Sequence, residues 1–214
     1  MNDGDPQGEV QFWLDAKDAA GNDAARDLIG SRQIDLAPPS ISIPQVVPLR
    51  LKKDSAVSIS FTVSEQPAQD PAVTVAGTAA TFTSRIGTAY AYGYTATGTE
   101  TEGEATIVVI AKDPAGNEAQ NDFARVVFDF TLPLLSVAPA KQEVIQGDTL
   151  VVAVASSEDL VSLPSIAGFD VAGSCWQSGA PRSYKCSLAV PGNQSEGLKD
   201  VVASGADLAG NEAT

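Results

Sequence analysis

The sequence predicts an all-β fold made of tandem β-sandwich modules, and two patterns lead to this prediction. The pentapeptide Asp-x-Ala-Gly-Asn occurs three times, starting at Asp18, Asp113 and Asp207. Its intervals of 95 and 94 residues match the size of one small domain and exceed the period of a solenoid. Apolar and polar residues alternate in several segments, as in half-buried antiparallel strands, and no segment has an apolar period of 3.6 residues.

The alternating segments occupy equivalent places in each repeat. Residues 57–63 are apolar at every second position, and Leu150, Val152 and Val154 occupy one face of the equivalent segment in the next repeat, whose intervening residues are also apolar. Just before the first pentapeptide, one strand face carries Val10, Phe12, Leu14 and Ala16, and before the second it carries Ile107, Val109 and Ala111. Each repeat is therefore expected to contain the same strands in the same order, with the pentapeptide connecting the last two.

The composition excludes several classes of partner. The chain has 27 acidic residues against 13 basic ones, a net charge of −14, which repels nucleic acid and anionic lipid. No run of about 18 apolar residues is present, so we expect no membrane insertion. Residues 1–5 lack the basic and apolar stretches of a signal peptide, so we expect export to depend on a signal outside this segment.

The chain has no histidine, which argues against catalysis. Without histidine a Ser or Cys nucleophile lacks its usual base, and the carboxylates follow the repeat boundaries rather than one cleft. We therefore predict no catalytic residues and no enzymatic activity. The remaining metal ligands are carboxylate and carbonyl oxygens, which suit calcium better than zinc.

Two similar linkers give the module boundaries. Residues 35–39 and 129–133 both start with Asp and end with Pro. Residues 1–36 are then the C-terminal strands of a partial module. Residues 37–131 form a complete module, and residues 132–214 form a module that lacks its last strand. About 95 residues with about seven short strands predict an immunoglobulin-like sandwich.

These elements resemble the bacterial immunoglobulin-like repeats of large secreted and cell-surface proteins, many of them adhesins. The matching elements are Ser64-Glu65, Ser157-Glu158, the pentapeptide and the Asp-to-Pro linker. The resemblance implies an extracellular or cell-surface spacer in cell adhesion, with neighbouring modules as its partners. Two alternatives are a module that binds a surface glycan or protein, and an accessory region of an exported hydrolase.

The pentapeptide has a structural interpretation that is sufficient by itself. Its Asp accepts backbone hydrogen bonds in an Asx turn, and Gly and Asn tolerate positive φ, so together they close a hairpin. Isolated Glu residues are ordinarily solvated strand ends. The alternative interpretation depends on several acids meeting at one place.

In an immunoglobulin-like sandwich, the loops after the second and sixth strands lie at the pole where the chain enters. Acidic residues from these loops, from the linker and from the preceding module should therefore meet at each junction, and calcium would offset their repulsion. The first predicted calcium site contains Glu9, Asp35, Glu65 and Asp113. The second contains Glu104, Asp129, Glu158 and Asp207.

The two cysteines, Cys175 and Cys186, align with Phe82 and Tyr92 of the complete module. An aromatic cross-strand contact in one module thus corresponds to a cysteine pair in the next. Because directly paired strand residues are close enough to bridge, and because arrays of the resembled kind are exported, we predict a disulfide. The alternative is two buried free thiols.

Three tyrosines alternate along one strand. Tyr90, Tyr92 and Tyr94 lie on one face, where they are expected to build the core and the sheet edge. A carbohydrate-binding platform is the alternative interpretation of the same face.

Overall fold

A computed structural model of the chain describes residues 8–214. The N-terminal stretch inspected for a signal peptide lies outside the described residues. The described part is all-β, and the prediction of tandem immunoglobulin-like sandwiches is confirmed. No helix long and apolar enough to cross a bilayer occurs among these residues.

The strands are numbered in chain order. Those up to residue 128 are β1 (Gly8–Leu14), β2 (Asp27–Ile34), β3 (Gln45–Val47), β4 (Arg50–Leu51), β5 (Ala56–Thr62), β6 (Ala72–Val75), β7 (Thr78–Ala79), β8 (Thr81–Ile86), β9 (Ala89–Thr95), β10 (Gly103–Lys112) and β11 (Glu118–Phe128). The later ones are β12 (Leu135–Pro139), β13 (Thr149–Ser156), β14 (Ser165–Gly168), β15 (Val171–Ala172), β16 (Ser174–Gln177), β17 (Ser183–Ala189), β18 (Val201–Ala206) and β19 (Glu212–Ala213).

Packing contacts divide the chain into two compact units. The first comprises the described residues up to Val47, together with Ser58–Tyr94 and Thr106–Arg125. The second comprises Pro48–Val57, Thr95–Ala105 and Val126–Thr214. Strands β5, β9, β10 and β11 each run through both units. The module boundaries predicted from the linkers are a different division of the chain.

The strands β3 to β11 form two sheets. One has the order β3-β5-β9-β8, and the other has the order β4-β11-β10-β6-β7. The short strand β4 pairs in parallel with the end of β11, whereas β6 pairs antiparallel with β10. Buried residues alternate along β5 and β9, as expected for strands with one face on a core.

The strands β12 to β19 repeat this arrangement. Their two sheets have the orders β12-β13-β17-β16 and β15-β14-β18-β19. Apolar residues from both sheets, including Val152, Leu188 and Ile166, form one buried cluster. These two sheets therefore pack face to face as a sandwich.

The N-terminal segment of the chain is shorter than a module, and the last strand is shorter than its counterpart in the preceding repeat. Strands β1 and β2 form an antiparallel hairpin, as expected for the end of a repeat. The C-terminal module was expected to lack its last strand, but β19 is present as two residues paired with β18. The residues after the third pentapeptide begin this strand. Its counterpart in the preceding repeat is the eleven-residue β11.

The three tyrosines are core residues. Tyr90, Tyr92 and Tyr94 are only 2%, 4% and 8% exposed, and the Phe61 ring stacks on the first two. A sugar needs an exposed ring face, so the interpretation of these residues as a carbohydrate platform is wrong. Their apolar rings face inward because they alternate with smaller residues on a half-buried strand.

The disulfide between Cys175 and Cys186 is present, and it joins directly paired residues of β16 and β17. The equivalent pair in the preceding sandwich is Phe82 and Tyr92, whose rings meet edge to face with their centroids 5.6 Å apart. The two sandwiches therefore connect the same two strand positions in different ways, one by ring packing and the other by a covalent bond.

Candidate metal centres

Each pentapeptide folds as a turn around its aspartate. The carboxylate of Asp113 accepts hydrogen bonds from the main-chain and side-chain nitrogens of Asn117, both at 2.8 Å. The carboxylates of Asp18 and Asp207 accept the same two bonds from Asn22 and Asn211. An Asx turn was expected for these residue types, and its side-chain bonds fix each carboxylate in one orientation.

Glycine and asparagine have different roles in this turn. The fourth residue is always in the left-handed region, with φ of 91° at Gly21, 96° at Gly116 and 87° at Gly210. The asparagines were also expected to tolerate positive φ, but none of them adopts it. They are used instead for the hydrogen bonds of their side-chain amides.

The asparagine amide also reaches the linker that precedes its own repeat. Asn117 Nδ2 donates to the carbonyl oxygen of Asp35 at 3.1 Å, and Asn211 Nδ2 donates to that of Asp129 at 2.9 Å. Both pairs are 82 residues apart in sequence. From their sequence context these asparagines were expected to form the turn alone. The constant spacing from linker Asp to pentapeptide Asn is the signal that identifies the contact.

The serine of each Ser-Glu pair holds the other end of the linker. Ser64 Oγ accepts a hydrogen bond from the main-chain nitrogen of Ser40, and Ser157 Oγ accepts one from that of Leu134, both at 2.9 Å. Main-chain bonds return from the serine nitrogens to the same linker residues. The glutamate that follows each serine is thereby placed beside the linker aspartate.

Two clusters of three carboxylates result. One carboxylate oxygen from each of Asp35, Glu65 and Asp113 lies within 4.8 Å of the other two, and the same holds for Asp129, Glu158 and Asp207. Asp113 and Asp207 are 1% exposed, and the other four acids of the two clusters are partly buried. The clusters are equivalent in the two repeats, since each takes one acid from the linker, one from the Ser-Glu pair and one from the pentapeptide.

The fourth acid predicted at each junction is not part of these clusters. Among the described residues, Glu9 and Glu104 belong to neither group of three. Glu9 is the second residue of β1, and Glu104 is the second residue of β10. Both residues are exposed. At the second cluster, Glu102, which directly precedes β10, is instead the upstream acid whose charge raises the pKa of Asp129 and Glu158.

Glu102 is therefore a residue that sequence reasoning missed. Its carboxylate accepts hydrogen bonds from the main-chain nitrogen of Phe130 at 2.6 Å and from Thr131 Oγ1 at 3.0 Å. The comparison of repeats favoured Glu104 because it aligns with Glu9, and Glu102 has no acidic counterpart at the aligned position Gln7.

The second cluster is electrostatically strained. Burial raises the pKa of Asp129, and the charges of Asp207 and Glu102 raise it further, while Arg50 lowers it. Burial also raises the pKa of Glu158, with added contributions from Asp129 and Asp207. Like charges held this close favour either protonation or a bound cation.

The pentapeptide aspartate of the first cluster behaves differently. Burial alone would raise the pKa of Asp113, but the hydrogen bonds from Asn117, Gly116 and Ala115 outweigh it and lower the pKa. This carboxylate is therefore held in its charged form, which is the form that binds a cation.

Basic residues border the second cluster. Arg50 and Arg182 line one cleft together with the acids Asp129, Glu158 and Asp159. Arg182 pairs with Asp159 at 2.9 Å, and Lys52 Nζ donates to the Gly210 carbonyl oxygen at 2.7 Å. Arg50 lowers the pKa of Asp129, and Arg182 lowers that of Glu158, which partly offsets the effect of burial and of the neighbouring acids.

The donor set fits a hard cation. Three carboxylates supply up to six oxygens, and calcium takes six to eight oxygen ligands. Asp113 Oδ2 accepts the hydrogen bond from the Asn117 side-chain amide, which leaves a second lone-pair direction on that oxygen for a metal. Zinc is a poor fit because neither cluster contains nitrogen or sulfur ligands.

The chain matches no protein-family model and no curated protein. Among solved structures it is similar to a 1.5-MDa bacterial ice-binding adhesin, with 15% identity and a TM-score of 0.50 over 98% of this chain and 72% of that chain. A similarity at this level shows a shared fold.

Two further solved structures are less similar. A Ca²⁺-stabilized adhesin of an Antarctic bacterium has 15% identity and a TM-score of 0.47, covering 96% of this chain and 54% of that one. Fibronectin(III)-like modules of Clostridium thermocellum CbhA have 14% identity and a TM-score of 0.40, covering 80% of this chain and 90% of theirs.

Proposed function

We propose that this chain is a spacer segment of a bacterial surface or secreted protein, in which calcium bridges the acidic residues at each linker. The proposed modules are residues 1–36, 37–131 and 132–214. The role is mechanical rather than catalytic: the segment holds a more distant part of its parent protein away from the cell.

The observation that carries this proposal is the equivalence of the two carboxylate clusters. Three acids that are far apart in sequence meet at the linker in both repeats. A single cluster of exposed acids is common in proteins and does not by itself indicate a bound ion. Two clusters with the same three origins indicate that the linker is the position where a ligand is needed.

Burial and charge favour calcium as that ligand. Asp113 and Asp207 are almost fully buried, and a buried carboxylate requires a partner of opposite charge or several hydrogen bonds. Burial first, and neighbouring acids second, raise the pKa values of Asp129 and Glu158, which supports a need for further positive charge at this cluster. A divalent cation supplies it, and the all-oxygen donor set selects calcium over transition metals.

The setting is supported by composition and by the disulfide. A net charge of −14 maintains solubility, and disulfides persist in oxidising compartments outside the cytoplasm. The fold shared with a very large bacterial adhesin is compatible with a tandem structural role. Interfaces between domains of one chain are small and permit motion, so an ion at the linker would restrict bending.

Isothermal titration calorimetry on the metal-free chain tests the proposal. We expect two calcium ions per chain, and a melting temperature that rises with calcium and falls again with EGTA. The Glu65→Gln and Glu158→Gln variants should each remove one ion. These two are preferable to the aspartates because their side chains do not support the Asx turns.

Glu9→Gln and Glu104→Gln are the matched controls. Each removes one negative charge that the sequence analysis placed at a junction, but neither acid belongs to a cluster, so calcium stoichiometry should stay at two. The absence of binding heat together with an EGTA-insensitive melting temperature would contradict the calcium proposal.

A further inference from the structure

The linker Asp129–Thr131 is held by side chains from both directions. Glu102 lies upstream in sequence, and its carboxylate accepts bonds from the Phe130 nitrogen and the Thr131 hydroxyl. Asn211 lies downstream, and its amide donates to the Asp129 carbonyl oxygen. Three consecutive linker residues are therefore each bonded to a side chain from a distant part of the sequence.

The bonds on both sides are of a strong kind. The Glu102 carboxylate is charged, and hydrogen bonds to charged acceptors are shorter and stronger than neutral ones. Asn211 is 9% exposed, so water cannot easily replace its partners. Its amide also donates to Asp207 Oδ2 at 2.8 Å, which fixes the orientation that presents its other hydrogen to the linker.

Further contacts extend this arrangement along the chain. Pro133 is buried, and the Leu134 nitrogen donates to Ser157 Oγ. In the first repeat the same positions are used by buried Pro39, by Ser64 and by Asn117. The bonds to Glu102 and Asn211 do not use the carboxylate oxygens of Asp129, because they involve main-chain groups of the linker and the Thr131 hydroxyl.

We propose that Glu102 and Asn211 form a clamp that fixes the linker before any ion is bound. The clamp gives the linker one backbone conformation and so positions Asp129 within the carboxylate cluster. Glu102 and Asn211 are then positioning residues. The inference deepens the proposed spacer function and depends on it for the role of the linker, but the clamp itself is independent of calcium.

Hydrogen exchange of the Phe130 amide tests the clamp directly, because this amide donates to Glu102. The full chain is measured in EGTA and in calcium. We expect protection of Phe130 in EGTA, and a loss of about tenfold or more in Glu102→Ala, as for a lost hydrogen bond to a charged group. Glu102→Gln retains an acceptor oxygen and should keep most of the protection.

Asn211→Ala tests the other side. It should increase the exchange of Phe130 in EGTA because the linker loses one hydrogen bond, and it should weaken calcium binding by about fivefold because Asp207 loses a donor as well. Glu104→Ala is the control, because it removes an acid two residues from Glu102. Core amides such as that of Val152 verify in each variant that the sandwich is folded.

The outcomes separate the clamp from the calcium site. Protection of Phe130 in EGTA without any calcium binding supports the clamp and overturns the calcium proposal. An unprotected Phe130 in EGTA that becomes protected only with calcium overturns the clamp and supports the calcium site. Equal exchange in the wild type and Glu102→Ala also overturns the clamp.

Discussion

The side-chain amide of Asn211 donates a hydrogen bond to the main-chain carbonyl oxygen of Asp129, 82 residues earlier in the chain. The same amide donates to the carboxylate of Asp207. One side chain thus connects a turn to a linker. Its equivalent in the first pentapeptide, Asn22, makes only the bonds of the turn among the described contacts.

This difference gives a prediction for stability. Asn211→Ala removes two side-chain hydrogen bonds at a buried position and leaves Asp207 with fewer donors, so it should lower the free energy of unfolding by about 2–3 kcal/mol. Asn22→Ala removes an exposed bond within a turn and should cost less than about 1 kcal/mol. Urea denaturation measures both. Equal losses would show that the linker contact adds nothing to the turn.

The second prediction concerns pH. The pKa values of Asp129 and Glu158 are raised in the folded chain. The metal-free protein therefore loses stability as the pH rises from the pKa values of the unfolded chain through those of the folded chain. Calcium should offset that loss at neutral pH, whereas at about pH 4.5 protons compete with it for the same oxygens. The calcium-induced rise in melting temperature should therefore be larger at pH 7.5 than at pH 4.5.

A scanning calorimetry series with and without calcium makes this comparison. Glu158→Gln removes one of the two titrating groups and should reduce the pH dependence. A calcium effect that is the same at both pH values would contradict competition between protons and the ion.

The third prediction concerns the disulfide. The Cys175–Cys186 bond closes a short loop of sequence separation 11, for which loop-closure entropy gives a stabilisation of about 2–3 kcal/mol. A reducing agent should lower the stability of the C-terminal sandwich by about this amount. The double variant Cys175→Val and Cys186→Val should be insensitive to the reducing agent. If reduction left the unfolding curve of the wild type unchanged, the bond would have no stabilising role.

The fourth prediction tests the role of the tyrosine strand. Tyr94 is 8% exposed, and Tyr94→Ala should cost about 3–5 kcal/mol because it leaves a cavity in the core. The variant should therefore melt at a lower temperature. Exposed Phe123 on β11 provides the control, since Phe123→Ala should change stability by less than about 1 kcal/mol. An unchanged melting temperature for Tyr94→Ala would contradict its assignment to the core.

The repeat pattern was sufficient to predict the fold class and the convergence of three acids at each linker. Strand alternation placed residues such as Ile59 and Val152 in the cores, because period-two patterning depends only on which face of a strand is buried. The pairing of the cysteines followed from their alignment with Phe82 and Tyr92. These inferences compare equivalent positions, so they do not require three-dimensional detail.

The fourth acid could not be predicted in this way. Glu104 aligns with Glu9, and the alignment favoured it, but the position of a side chain at a strand end depends on the exact residue at which the strand begins. β10 begins at Gly103, so Glu102 lies before it and reaches the linker. The hydrogen bonds of Asn117 and Asn211 to the linker were likewise missed, because turn formation already explained these residues.

Each cluster is assembled from two sides of a linker, and the linker Asp belongs to the repeat that precedes the other two acids. A recombination event that exchanges whole repeats at equivalent positions would therefore regenerate a complete cluster at every new join. The number of repeats could change during evolution without any compensating mutation, and natural variants that differ in length by whole repeats should retain all three acids at each boundary.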